Sequence, residues 1–272
     1  MAAGSLGLGL VIVAVILYGV AALAHGAYLY ADEWNRPSSL LLWLGFAFHT
    51  AALALRIWQS PSHVPFLSMD DAALFFTWGV ALNYALLDLL HPVKIAGVFL
   101  IPLLVVFLLG TVAAPKATLD VPALSGSRLV FHIIFAYASY GLFALSFISA
   151  VMYLLQEKQL RDKSFFVFFY RLPPLDVLDK FGQRFIEAGY PLLTIGLVAG
   201  AMWANVAWKA WFGEWKVIWS VLTWAVYGIY LLARVALGWR GRRAAYLSIA
   251  GFLAVVANFY IINLFASKLH GF

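Results

Sequence analysis

The chain has 272 residues, of which 64% are hydrophobic and 11% charged. A typical soluble domain is about 25% charged, so a water-soluble globule would have too few charges to cover its surface, whereas a lipid-embedded one needs few. The net charge of +6 is not gathered into one basic stripe, so it gives no sign of a nucleic-acid partner. The absence of cysteine excludes disulfides, thiolate metal sites and thiol exchange.

Eight apolar runs follow one another, at roughly 5–28, 38–59, 70–90, 94–114, 129–156, 187–208, 217–238 and 244–267. Each is near the ~20 residues that carry a helix across a ~30 Å hydrocarbon core. The first run opens on Met1-Ala2-Ala3-Gly4 without Lys or Arg, so it reads as a span rather than a signal peptide. The second carries His49 at mid-membrane. The third begins with Asp70 and Asp71, which suit the positive end of a helix dipole. Pro92, after His91, marks a tight connection into the fourth. His132 lies at the outer end of the fifth. The longest polar stretch, about 157–186, reads as a cytoplasmic loop. Trp-rich sequence, about 203–219, joins the sixth and seventh runs, and His270 follows the eighth. No internal repeat is evident.

Basic residues orient the spans. Arg56, Lys116, Arg128, Lys209, Lys216 and Lys268 lie on one set of connections. The larger set, including Arg36, Lys94, Arg234 and the bases of 157–186 and 240–243, lies on the other. The larger set belongs in the cytoplasm by the positive-inside rule. The expected fold is therefore all-α, a polytopic membrane helical bundle of about eight transmembrane helices with both termini outside, and a single membrane domain over 1–272.

In that orientation His63, His132 and His270 reach the outer face from distant parts of the sequence, while His25 and His91 lie near the cytoplasmic side. Ionisable side chains within spans are functional candidates, although a neutral imidazole can simply bridge two helices. Trp203, Trp208, Trp211, Trp215, Trp219 and Trp224 are concentrated on and beside one outer connection, with Lys209, Glu214 and Lys216 among them. An interfacial belt would distribute tryptophan over many helix ends and both leaflets. A wall of indoles suits a large planar aromatic ligand, with lysine to meet its carboxylates. Two outer imidazoles suit the axial positions of haem iron. A structural zinc site would ask for four protein ligands and no aromatic wall.

Further motifs carry a family resemblance. These are His49-Thr50 through Arg56 followed by Ser62-His63-Val64-Pro65; His132 with Ser139-Tyr140; Leu172-Pro173-Pro174-Leu175-Asp176-Val177-Leu178-Asp179 leading to Gly189-Tyr190-Pro191; Gly238-Trp239-Arg240-Gly241-Arg242-Arg243; and Asn258 through Leu269-His270-Gly271-Phe272. Together they resemble the cytochrome c assembly family of haem-handling membrane proteins, the CcsA/ResC and HemX group. The resemblance implies that His132 and His270 are axial ligands of a non-covalent haem b. It implies that Trp203, Trp208, Trp211, Trp215, Trp219 and Lys216 form the loop that receives it, with His63 and His49 as further candidates. The loop is an eroded form of the family pattern: Glu214 stands for its Asp and Trp215 for its Pro.

CcsA-type members carry a further histidine in the seventh span, where this chain has Leu232. That departure implies a HemX-like member that binds haem outside without being a complete haem lyase. The implied partners are haem, the lipid bilayer and a cytochrome c assembly protein. Alternatively, a regulator of haem synthesis would act on glutamyl-tRNA reductase through 157–186. The implied location is the cytoplasmic (inner) membrane of a bacterium.

Overall fold

A computed structural model describes residues 2–60, 69–90, 93–113, 127–164, 167–207 and 215–258. Among them the chain is helical, without strands: α1 (Ala2–Tyr28), α2 (Asn35–Gln59), α3 (Met69–Leu90), α4 (Lys94–Ala113), α5 (Ser127–Arg161), α6 (Val167–Arg171), α7 (Leu175–Ala207), α8 (Trp215–Ala236) and α9 (Arg242–Val256). Seven of these helices are long and apolar enough to cross a bilayer. The protein is an all-α polytopic membrane bundle. In lipid every backbone polar group must be satisfied within the chain, and helices do this segment by segment. The eighth apolar run begins as α9 and continues outside the described residues.

Two of the helices are longer than a span requires. α5 runs to Arg161, and α7 starts at Leu175, ahead of the apolar run that begins near 187. The polar stretch 157–186 is thus largely helix, with α6 between the two extensions. The polar residues there occupy the ends of long helices, as exposed pairs such as Lys180 Nζ to Asp176 Oδ2 at 2.7 Å attest.

The helices form two compact units, Met1–Asp120 and Val121–Phe272. In the first, α1 packs on α2 and α4, and α3 packs on α4 and α2. Gly45 lets α2 close on α1: a Cβ there would lie 3.0 Å from the Tyr18 ring. His49 is buried in this unit. Its Nε2–H donates to the Leu74 carbonyl (3.1 Å), which leaves Nδ1 as the acceptor toward the Tyr18 hydroxyl at 3.5 Å. His25 is likewise buried, with Nδ1–H donating to the Ala21 carbonyl (2.8 Å) and Nε2 accepting from the Tyr84 hydroxyl (3.2 Å).

The buried charges described in the first unit are paired. Asp88 and Lys94 are buried at 2.6 Å, and Ser39 donates to the same carboxylate at 2.7 Å. Arg56 meets Asp70 at 2.7 Å and Asp71 at 2.6 Å, tying the end of α2 to the start of α3. The two aspartates therefore bond a specific cation as well as standing in the first turn of a helix.

In the second unit α5 packs along most of α7, α9 packs on α5 and α8, and α8 packs on α7. Gly189 admits the Phe143 ring, and Ser146 hydroxyl contacts bring α5 against Gly182 of α7 (2.9 Å) and Ser248 of α9 (2.8 Å). One polar staple joins three helices. Arg234 of α8 grips Asp179 of α7 through two bonds of 2.8 and 3.0 Å and also reaches Gln183. The same carboxylate accepts from the Gly241 N–H (2.8 Å) at the head of α9. Gly241 has φ +62°, and a Cβ there would lie 2.5 Å from the Tyr153 hydroxyl, so the turn requires glycine.

Candidate functional site between α5 and α7

α5 presents His132 to α7 at a point where α7 has no side chains. Gly196 and Gly200 are one helical turn apart on α7, and small residues at that spacing let helices approach closely. A Cβ at position 200 would lie 2.6 Å from His132 Nδ1, and one at 196 would lie 3.1 Å from the Ala136 nitrogen. Into this seat the half-buried imidazole turns its Nδ1, 2.6 Å from the Gly196 carbonyl oxygen. A carbonyl only accepts, so Nδ1 carries the hydrogen and Nε2 carries the lone pair. This tautomer suits a ligand histidine, which usually gives its other N–H to a carbonyl or carboxylate that fixes the ring.

The surroundings are apolar. Trp203 follows Gly200 by about one turn on α7 and is half-buried. On the same two helices Phe131, Phe135, Ile195, Val198 and Met202 line a groove of about 410 Å³, with Arg128 at its edge. His132 itself faces α7 rather than this groove. Trp219 lies half-buried on α8. Trp224 serves packing: it stacks on Tyr190 with ring centroids 5.5 Å apart and donates its N–H to the Thr194 hydroxyl at 3.0 Å.

The expected site residues separate into three sets. His132, Trp203 and Trp219 are placed in the second unit. Trp215 and Lys216 belong to the first turn of α8; their side chains, and all of His63, Trp208, Trp211 and His270, lie outside the described residues. His49 belongs to the first unit, where both ring nitrogens are engaged in packing contacts. The glycine seat is legible in the sequence only as a small-residue spacing. Among the described residues no cluster of three His, Asp or Glu could hold a metal ion. In this region the described group best suited to haem iron is the imidazole of His132.

The family model described as "Cytochrome C assembly protein" matches residues 67–270. The chain belongs to this family. Two curated relatives bear the same description, "Cytochrome c biogenesis protein CcsA". One, from Guillardia theta, is 31% identical over 79% of this chain and 78% of its own length. The other, from Prochlorococcus marinus (strain NATL2A), is 32% identical over 83% and 81%. A third of that description, from Mesostigma viride, is 26% identical over 97% and 93%. This cytochrome c assembly protein is thus similar to CcsA proteins over most of its length. That corrects the HemX-like placement drawn from Leu232, which gains no support from these relatives. Leu232 is 68% exposed on the outward face of α8, so a change of side chain there leaves the packed interior of the unit untouched.

Proposed function

We propose that this cytochrome c assembly protein holds haem b non-covalently at the outer face of a bacterial cytoplasmic membrane, for delivery to an assembly partner. The observation that carries this reading is the seat of His132: the 2.6 Å bond to Gly196 fixes the tautomer in which Nε2 can ligate iron. Haem supplies the metal and the reactive vinyl groups; the chain supplies place and orientation. His132 would hold the iron through Nε2, and His270, on its family motif, would be the second ligand. The Trp-rich segment, with Trp203 and Trp219 among its members, provides apolar faces for the ring, and Lys216 provides a cation for a propionate. The cation-rich connections would face the cytoplasm, leaving these residues outside.

The test is absorbance of the detergent-purified protein from haem-replete cells. A Soret band is expected that falls by more than half in His132→Ala and in His270→Ala. Added imidazole should restore it in His132→Ala, because a diffusible ligand can enter the vacated position. An unaltered spectrum in the double variant would remove both residues from the ligand set.

A further inference from the structure

We propose that the chain is a tandem duplication, in which α1–α4 and α5, α7, α8 and α9 are two copies of one four-helix unit. Four spans per copy return the chain to the side it started from, so both copies thread the bilayer in the same direction. In each unit the first helix packs on the second and fourth, and the third packs on the fourth and second. The correspondence extends to single residues, with one register for each helix pair.

The first and second helices meet at a glycine under an aromatic ring: Gly45 under Tyr18 in one unit, Gly189 under Phe143 in the other. One residue further on, the same three-part contact recurs with the third helix. Trp78 stacks on Phe46 (5.7 Å) and donates to Thr50 (2.9 Å), whose hydroxyl bonds the Phe46 carbonyl (2.7 Å). Trp224 stacks on Tyr190 (5.5 Å) and donates to Thr194 (3.0 Å), whose hydroxyl bonds the Tyr190 carbonyl (2.9 Å).

The register set by these contacts then predicts others. It carries Ser39 to Gln183 and Asp88 to Arg234. Ser39 bonds Asp88 in the first unit, and Gln183 bonds Arg234 in the second. It carries Thr77 to Thr223, and each back-bonds its own helix, at 2.9 Å and 2.8 Å. It also carries Tyr84 to Tyr230 and His25 to Ala150. Tyr84, His25 and Gly97 cluster in the first unit, while Tyr230, Ala150 and Ala244 line one small cavity in the second. Burial follows the same register: Val11, Ala14, Tyr18 and Ala21 are buried on α1, as Ala136, Ser139, Phe143 and Ser146 are on α5. A trace survives in sequence, Thr77-Trp78-x-Val80-x3-Tyr84 against Thr223-Trp224-x-Val226-x3-Tyr230. α6 and its flanks lengthen the first connection of the second copy only, which hides the period from a search at fixed spacing.

The copies have diverged where chemistry is expected. His132, Gly196 and Gly200 correspond to Gly7, Ala52 and Arg56, so the imidazole seat belongs to the second copy alone. Conversely His25 and His49 of the first copy correspond to Ala150 and Leu193. Among the described residues the two copies thus keep their histidines at different levels of one scaffold.

The chain has no native cysteine, so single-cysteine labelling with an impermeant maleimide gives a clean test. Two exposed equivalent pairs are Arg36 with Lys180, and Trp58 with Met202. A parallel duplication requires both members of a pair to label from the same side of the membrane, and the two pairs from opposite sides. Members of one pair labelling from opposite sides would overturn the proposal. A second test uses packing. The first copy has buried Ala81 and Leu104 where the second has Tyr227 and Gly251, whose Cβ would lie 2.7 Å from the Tyr227 ring. Gly251→Leu alone and Tyr227→Ala alone should each lower the melting temperature, and the double variant should recover most of the loss. A double variant no more stable than the worse single one would equally overturn the equivalence.

Discussion

A methyl group on Gly200 would meet the His132 ring at 2.6 Å, well inside van der Waals contact. Gly200→Ala should therefore tilt the imidazole off the Gly196 carbonyl and reduce haem retention nearly as far as His132→Ala. Overpacking of this kind costs about 1–3 kcal/mol, so circular dichroism should still report a folded helical protein. A variant with an intact Soret band would show that the seat does not set the ligand. His49 makes the opposite case. His49→Leu removes the acceptor facing the buried Tyr18 hydroxyl, a loss of about 1–3 kcal/mol, while the Leu74 carbonyl keeps its bond from the Thr77 hydroxyl at 3.0 Å. The expected outcome is lower thermal stability with an unchanged haem spectrum, because both ring nitrogens of His49 face partners on neighbouring helices. In the sequence both histidines are ionisable groups in or near a span, and nothing in their neighbours along the chain separates them. What separates them is the opposite helix: two glycines at Gly196 and Gly200 in one case, a carbonyl and a tyrosine in the other.

At the level of elements, the motifs around Asp179 and Gly241 act as a clamp rather than a site. Arg234 has 6% and Asp179 has 14% of its side chain exposed, and removing one partner of a buried pair strands the other at a cost of about 3–5 kcal/mol. Arg234→Ala and Asp179→Ala should each lower detergent-phase unfolding stability by about that much, and a double variant should lose less than the sum. Additive losses would mean that the two side chains do not act on each other. Because α7 is one continuous helix from Leu175 to Ala207, this clamp and the glycines Gly196 and Gly200 belong to the same rod. The partners are 55 residues apart in sequence, beyond the reach of any helical spacing rule. Arg56 with Asp70 and Asp71 is nearer to hand, yet an acidic pair at a helix start already has a local explanation in the dipole.

For the molecule as a whole, hydropathy locates the spans because lipid makes a ~20-residue apolar run a geometric requirement. It misjudges the helix lengths at 157–186. Polar residues there extend α5 and α7 beyond their apolar runs, and hydropathy reads solvent contact, not helix ends. It also passes over the duplication, since most of the equivalences are between contacts and few are between identical residues. The charge bias nonetheless makes a strong topological statement. A reporter fused after Phe272 should be active outside the cytoplasm, and activity only inside would overturn that orientation.

The bond between His132 and the Gly196 peptide has one more consequence. The group that accepts the ring N–H of a ligating imidazole tunes its basicity, and a carboxylate would draw on that proton more strongly than a neutral carbonyl does. An iron bound through Nε2 here would feel a comparatively weak donor. Such iron should favour the ferrous state, with a higher reduction potential than the same pair supported by a carboxylate, and should exchange its ligand more readily. The delivery proposed above is better served by that grip than by a stronger one.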